Sequence, residues 1–303
     1  MIMKKKTITS HRLEVQAVLL SFICSCQTAH SPFTSPEADS TLIIDKVEVS
    51  ATKAPYTAPV LKGELGIMLV DDSGKDSYDG KEYLNVRFTA EGDGICRPER
   101  EVLLSTTEAR LYSYYPYSGT ITDLRNIPID LSSDASTDHM YGTPVTDLNN
   151  LNPNAAITMN HALAAINISL IKGKYSGPGV VTDISVYGKG IARKAILDAT
   201  TGILRDFTDI AAEIRIPTDF RLQSGTAQNN YLIVIPTGES SPFTIKVTID
   251  GMEFFTTAAA TDLPTGTITG YTVIVNSETM EIAKGTVTQW YSEYCGNREV
   301  SIY

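Results

Sequence analysis

Alternation of apolar and polar residues is the feature that most limits what this chain can fold into. From Phe243 to Ile249 every second residue is apolar, and the residues between them are Thr, Lys and Thr. Successive side chains of a strand point to opposite faces, so this segment presents one apolar and one polar face. Asp250-Gly251 then forms a two-residue turn, and Met252–Thr257 runs back as the partner strand. This is the strongest short-range signal for a β-hairpin.

Shorter apolar runs recur along the chain and predict further strands. They are rich in Val, Ile, Thr and Tyr and are separated by Gly, Pro, Asn and Asp. The predicted strands are Leu42–Val49, Leu65–Val70, Val102–Ser105, Arg110–Tyr115, Val180–Val186, Tyr231–Ile235 and Tyr271–Val275. Helical periodicity is weak nearly everywhere. The pattern therefore predicts an all-β protein built of sandwiches rather than α/β layers.

The segment Ile157–Ile171 is compatible with either a helix or a strand. As a strand, it places Ile157, Met159 and His161 on one face, and its apolar phase then shifts. One extra residue near Ala165, in a β-bulge, would explain the shift without ending the strand. We therefore predict a single bulged strand here.

A run of Asn and Pro residues just before this segment predicts a domain boundary. Residues 147–154 contain four Asn and one Pro, which fit poorly inside a sheet. We predict an N-terminal β-sandwich over residues 41–152 and a C-terminal β-sandwich with a tail over 153–303. Residues 26–40 are rich in Ser, Thr, Pro and Ala and are expected to form a tether.

The first 25 residues have the pattern of a bacterial lipoprotein signal peptide. Lys4–Lys6 form a basic start, and Val15–Ile23 is mostly apolar but shorter than the roughly 20 residues that span a bilayer. Cys26 has Ser25 directly before it and the aliphatic Ile23 three places before it, and it fits lipoprotein signal peptidase better than Cys24 does. The alternative is a free cysteine in an ordinary signal peptide. We expect Cys26 to be acylated, as by palmitate, and to anchor the exported chain in the cell outer membrane.

Two further cysteines, Cys96 and Cys295, would remain after this processing. In an oxidising compartment they are able to pair, which would tie the C-terminal tail to the first half of the chain. Two separate thiols are the alternative, and the sequence leaves both states open.

Charge and motif content argue against several classes of function. The chain has 25 Lys+Arg and 35 Asp+Glu, a net charge of −10, so nucleic acid is a poor partner. His139 and His161 lie in no catalytic motif and are interpreted as a loop histidine and a hydrogen-bonded strand histidine. Asp71–Glu82 has the length of a calcium loop, but Lys75 and Asp76 occupy positions where the loop needs an oxygen ligand and a glycine. We expect no catalytic residue, no metal site and no cofactor.

Several segments, in order along the chain, resemble the fimbrillin family of Bacteroidetes-type pilus subunits, which includes Mfa-like lipoproteins. They are Leu111–Ser118, Met140–Pro144, Ile157–Leu163, Leu232–Pro236, the Phe243–Phe255 hairpin, Gly270–Val273 and Trp290. The resemblance covers nearly the whole exported chain. It implies two transthyretin-like β-sandwiches in tandem and a structural or adhesive, non-enzymatic role in a surface fimbrium.

The resemblance also implies how subunits join. In polymerising members a trypsin-like protease frees the first strand, and a strand from the next subunit fills the groove. Here Leu42–Val49 would be the displaced strand, and Lys53, followed by Ala54, stands where the family usually has Arg. The donor would lie within Met280–Tyr303. The expected partners are other fimbrillin subunits, the outer membrane and a host or bacterial surface ligand. The alternative is a non-polymerising surface lipoprotein that binds glycans or host proteins.

Overall fold

Strands dominate the computed structural model, which describes residues 38–50, 61–73, 77–92, 95–133 and 135–290. These ranges contain strands, turns and loops, and they include no helix, so none that is long and apolar enough to cross a membrane. They all belong to one compact unit. The prediction of an all-β fold is confirmed.

The structure has 21 strands in the described ranges. In chain order they are β1 (Ser40–Thr41), β2 (Ile43–Val49), β3 (Lys62–Asp71), β4 (Tyr83–Glu91), β5 (Cys96–Pro98), β6 (Leu103–Leu104), β7 (Ala109–Tyr115), β8 (Ile127–Asp130), β9 (Met140–Gly142), β10 (Val145–Leu148), β11 (Asn154–His161), β12 (Ala164–Lys172), β13 (Val180–Gly188), β14 (Ile191–Asp198), β15 (Ile203–Ile210), β16 (Ile214–Arg221), β17 (Gln228–Pro236), β18 (Ser241–Ile249), β19 (Met252–Thr261), β20 (Thr267–Val275) and β21 (Met280–Gln289).

The first sheet has eight strands and closes on itself. Its spatial order is β10-β7-β3-β4-β5-β2-β11-β9, and β9 also pairs with β7. Most neighbours are antiparallel, but β2 and β11 run parallel. The short strands β1 and β6 pair with each other beside it. Side chains such as Ile44, Leu65, Phe88 and Leu111 fill the core that this sheet encloses.

Two sheets packed face to face form the second part of the molecule. One has the order β15-β14-β17-β12-β20-β21, with β8 also paired to β14, and the other has the order β16-β13-β18-β19. Ile166 and Val273 of the first and Ile184 and Val247 of the second are fully buried in one shared cluster. This is the arrangement of a β-sandwich.

The hairpin predicted at Asp250-Gly251 is present as β18 and β19. Asp250 and Gly251 both have positive φ, at 50° and 79°, as a two-residue hairpin turn of this type requires. Phe243 and Ile249, the first and last apolar residues of the alternating run, are both buried. The alternation therefore identified both the turn and the buried face.

The prediction of one bulged strand at Ile157–Ile171 is wrong in its detail. The segment forms two strands, because β11 ends at His161 in the first sheet and β12 begins at Ala164 in the second. The positions of the apolar residues shift along the segment because the two strands face different cores. Ala162 and Leu163, both fully buried, connect the two sheets.

The chain does not pass from the first sheet to the second part at the predicted boundary, residue 152. β11 pairs with β2 and β9 of the first sheet, although it begins at Asn154. Conversely, β8, which precedes that position, pairs with β14 of the second part. The two parts thus exchange segments across the predicted boundary, and the assignment of residues to two domains stays a prediction.

Candidate functional site

Strand β2 lies between β11 and β5 and is the structural centre of the candidate site. On one side it makes six parallel residue pairs with β11, from Asn154 opposite Ile43 to Met159 opposite Val49. On the other side it has one paired position with β5, Ile44 opposite Cys96. The strand is therefore held unequally by its two neighbours.

The side chains of this segment alternate between core and solvent, with one interruption. Leu42, Ile44, Val47 and Val49 are at most 2% exposed, whereas Ile43 is 48% exposed. The spacing of two, three and two residues reflects a bulge, since Asp45 is skipped between the two pairs that join β2 to Ala155 and Ala156. A bulge adds one residue to a strand and leaves it unpaired.

Removal of this segment would leave a groove with a defined chemistry. Its walls would be the backbone edges of β11 and β5, and buried N–H and C=O groups need partners. Its floor would be the apolar core, where each fully buried aliphatic side chain contributes about 1.5–3 kcal/mol. We call this space the β2 groove. It fits a replacement strand that carries apolar side chains at alternate positions.

The ends of the segment are tied to the rest of the fold by a few polar contacts. Ser40 Oγ donates to the Asn150 carbonyl at 2.8 Å, and Lys81 Nζ lies 3.1 Å from an Asp39 carboxylate oxygen. At the other end Ser50 N–H donates to the Met159 carbonyl at 2.7 Å. The exposed ion pair contributes little to stability.

Most of the predicted site residues lie outside the described residues. This applies to Cys26, to Lys53 and Ala54, and to Cys295. Cys96 is described: it begins β5, is 5% exposed and is paired with Ile44 of β2. No group of three or more His, Cys, Asp or Glu side chains in the described ranges is arranged to hold a metal ion.

A second cluster, Asp138, His161 and Trp290, joins the two parts of the molecule. His161 Nδ1 lies 2.6 Å from Asp138 Oδ2, and the His161 ring stacks on Trp290 with centroids 4.4 Å apart. The three residues are at most 6% exposed. Burial, followed by the nearby Asp138 carboxylate, raises the pKa of the Tyr115 hydroxyl.

Three polar atoms of this cluster have no hydrogen-bond partner among the described residues. They are His161 Nε2, Trp290 Nε1 and Asp138 Oδ1. The expectation of a hydrogen-bonded strand histidine agrees with the His161–Asp138 contact. Its partners were missed, because Asp138 and Trp290 lie in other segments and no local spacing connects them to His161.

A cavity of about 170 Å³ adjoins the cluster, and we call it the junction pocket. Its lining includes Ser50 at the end of β2, Tyr141 of β9, and His161 and Trp290. Asn160, Thr265, Gly266 and Gln289 complete the described lining. Among these residues none is Lys, Arg, Asp or Glu. The pocket therefore combines aromatic rings with neutral hydrogen-bonding groups.

Comparison with known proteins identifies the family of the chain and proteins that share its fold. The family model described as fimbrillin-like matches residues 52–290. The fold is similar to that of a candidate cell adhesion protein from Bacteroides ovatus, with 16% identity, a TM-score of 0.64, and coverage of 84% of this chain and 98% of the other. A second such protein, from Bacteroides uniformis, has 17% identity and a TM-score of 0.62, and the match covers 83% of this chain and 99% of that protein.

A fimbrial protein from Bacteroides vulgatus also has a similar fold. It has 13% identity and a TM-score of 0.53, and the match covers 83% of this chain and all of that protein. No curated protein matches the chain. At these identities the structural matches establish a shared fold, whereas the family match covers most of the sequence.

Proposed function

Because the chain belongs to the fimbrillin-like family, we propose that it is a structural or adhesive subunit of a surface fimbria that is exported as a lipoprotein and assembled by proteolysis and strand exchange. The observation that supports assembly most directly is the position of β2. It is an N-terminal strand with a buried apolar face, and it lies between two neighbours that remain when it leaves. The match to the fimbrillin-like family and the fold shared with a fimbrial protein support a structural role.

In the proposed pathway Cys26 is acylated and holds the subunit in the outer membrane. Cleavage after Lys53 then separates the lipid, the tether and β2 from the chain that begins at Ala54. The β2 groove opens, and a strand of a second subunit pairs with β11 and fills it, as in other cases of β-strand addition. A donor that pairs regularly with β11 would also replace the bulge at Asp45.

We propose that the donor strand lies beyond Trp290. We predicted a donor within Met280–Tyr303, but the first part of that range has a partner in its own subunit. Met280–Gln289 forms β21 and pairs with β20 at nine positions, and Trp290 is only 2% exposed. A donor taken from β21 would leave one edge of β20 unpaired, since the other edge pairs with β12. Residues 291–303 are therefore the proposed donor.

The test is intact-mass analysis and N-terminal peptide mapping of protein taken from its own cell surface. We expect molecules that begin at Ala54 and form a series of oligomers that resist dissociation. Lys53→Ala should abolish both the cleaved N-terminus and the oligomers. The control Lys62→Ala, which changes a lysine at the start of β3, should retain both. If every molecule begins at an acylated Cys26 and is monomeric, polymerisation is wrong, and a non-polymerising surface lipoprotein that binds glycans or host proteins becomes the better interpretation.

A further inference from the structure

We propose that the last nine residues of the chain, Cys295–Tyr303, replace Leu42–Ser50 of a second copy position for position and in the same direction. This register rests on the proposed function, because it assumes strand exchange, and it specifies which donor residue takes which place. Two observations lead to it. They are the spacing of the buried side chains in β2 and the place where the C-terminal tail begins.

The buried residues of the β2 segment have an irregular spacing. They lie two, three and two residues apart and are at most 2% exposed: Leu42, Ile44, Val47 and Val49. The step of three comes from the bulge at Asp45, whereas a regular strand buries every second residue. A donor that fills the same core therefore needs apolar side chains at this irregular spacing, unless it also removes the bulge.

The C-terminal tail reproduces this spacing. If Tyr303 takes the place of Ser50, the four core positions receive, in order, Cys295, Asn297, Val300 and Ile302. Three of these are apolar, since Cys packs as a small hydrophobic residue, and Asn297 is the exception. The four positions that face solvent receive Gly296, Arg298, Glu299 and Ser301. In a register without the bulge, Arg298 would enter the core at the place of Ile44. The tail therefore fits the bulged strand.

The spacing is the same in both directions, so the direction follows from where a subunit holds its own tail. Trp290, the residue before the tail, lines the junction pocket together with Ser50, so it lies at the Ser50 end of its own β2 groove. A tail that enters a groove at this end is able to fill its own subunit, which stops growth. A tail that enters a neighbour at the Leu42 end joins opposite ends of two subunits. Such a head-to-tail contact continues into a filament.

The length of the tail excludes its own groove for this direction. From Leu42 to Ser50 the strand advances by seven steps, the bulge not counted, or about 23 Å at roughly 3.3 Å per step. Cys295 follows Trp290 by five residues and reaches at most about 18 Å from it. Because Trp290 lies at the Ser50 end, Cys295 falls short of the place of Leu42 in its own subunit. The occupant is therefore a second copy of this chain.

The junction pocket then receives the end of the donor. Ser50 lines this pocket, and its N–H donates to the Met159 carbonyl at 2.7 Å. In this register Tyr303 takes that place and brings its ring to a cavity that Tyr141 and Trp290 of the acceptor also line. Aromatic side chains pack favourably beside one another. The pocket therefore marks the position where the donor strand ends.

Engineered cysteines test the register in processed protein taken from its own cell surface. Glu48 pairs with Thr158 of β11, so Ser301 in its place lies opposite Thr158 of the acceptor, near enough for a disulfide. Both native cysteines would be replaced, by Cys96→Ala and Cys295→Ala. After mild oxidation with diamide, we expect Thr158→Cys combined with Ser301→Cys to give covalent oligomers in denaturing gels, which a reducing agent returns to single chains.

The matched control combines Thr158→Cys with Gly296→Cys. In the proposed direction Gly296 takes the place of Ile43, opposite Asn154, which is four residues from Thr158 and too far for a disulfide. In the reverse direction Gly296 would instead lie opposite Thr158. The register is overturned if the Gly296 pair links and the Ser301 pair does not. It is also overturned if neither pair links although oligomers form, or if the Ser301 pair links only within single chains.

A second measurement tests which face of the donor enters the core. Ile302→Asp should abolish the oligomers, because it places a charge in the apolar core of the acceptor, whereas Ser301→Asp on the solvent-facing side should retain them. Circular dichroism of the subunits controls for folding. Equal oligomer yields from the two variants would overturn the register and leave the proposed function intact. If the unchanged protein itself forms no oligomers, the proposed strand exchange is wrong, and the register with it.

Discussion

His161 and Trp290 stack with their ring planes 7° from parallel, although they lie in different parts of the molecule. His161 ends β11 of the first sheet, and Trp290 directly follows β21 of the second part. The stack therefore joins the strand that borders β2 to the point where the C-terminal tail begins. Trp290 N–H also donates to the Gly266 carbonyl at 3.0 Å, which fixes its backbone.

Replacement of Trp290 by Ala is expected to destabilise the protein by about 3–5 kcal/mol, since the change empties a fully buried aromatic site. Trp290→Phe should lose less, because a ring remains to pack on His161. Urea unfolding followed by circular dichroism measures both, since the variants lack the tryptophan signal. A loss below about 1 kcal/mol for Trp290→Ala would mean that the stack does not contribute to stability.

The two neighbouring isoleucines of β2 provide a test of which face of the strand packs on the core. Ile44 is completely buried, whereas Ile43 is 48% exposed. Ile44→Ala should lower the free energy of unfolding by about 2–5 kcal/mol, because it removes buried methyl groups from the core. Ile43→Ala is the matched control and should cost under about 1 kcal/mol. Equal losses of unfolding free energy in chemical denaturation would contradict the assignment of Ile44 to the buried face and Ile43 to the exposed face of β2.

The features predicted from sequence were those carried by local patterns. The Phe243–Thr257 hairpin was predictable because alternation and an Asp-Gly turn lie within one short segment. The segment Ile157–Ile171 was harder, because its change of phase arises from a second core that local sequence does not show. The Asp138–His161–Trp290 cluster gave no signal, since its members approach one another only through the packing of the two parts.

Asp250 is expected to make the protein's stability depend on pH in the acid range. Its carboxylate accepts hydrogen bonds from Gly179 N–H at 2.8 Å, Tyr175 Oη at 2.7 Å and Val180 N–H at 2.9 Å. These contacts, that of Gly179 first, lower the pKa of Asp250 below its ordinary value of 3.8. The ionised form is therefore favoured in the folded state, and the stabilisation is present above the unfolded-state pKa.

The sign of the effect follows from the lowered pKa. As pH falls towards 3.8 and then through the folded-state pKa, this stabilisation should disappear. Asp250→Asn keeps a residue that tolerates the positive φ of the turn but removes the titrating group. Melting temperatures between about pH 5 and pH 2 should therefore fall less steeply for this variant than for the unchanged protein. Asp262→Asn controls for the loss of one exposed carboxylate, and an identical slope for Asp250→Asn would contradict the assignment.

A substitution at Gly202 tests a second contact between the two parts of the molecule, at a place away from the Trp290 stack. It lies in the turn between β14 and β15 with φ of 76°, and a Cβ there would be 2.1 Å from Tyr141 Cζ of β9. Gly225 has a similar φ of 74°, and nothing lies within 4 Å of the place of its Cβ. The two glycines therefore share a backbone conformation and differ in what surrounds them.

Both Gly202→Ala and Gly225→Ala should lose about 1–2 kcal/mol, because an L-residue is strained at this φ. Gly202→Ala should lose a further 1–3 kcal/mol or so, because the added methyl group must displace the Tyr141 ring. Combining Gly202→Ala with Tyr141→Ala should remove that further loss, since the ring is then absent. Unfolding free energies from urea titration decide the matter. Equal losses for the two alanine variants would mean that the Tyr141 ring moves aside at no cost and that this contact does not hold the two parts together.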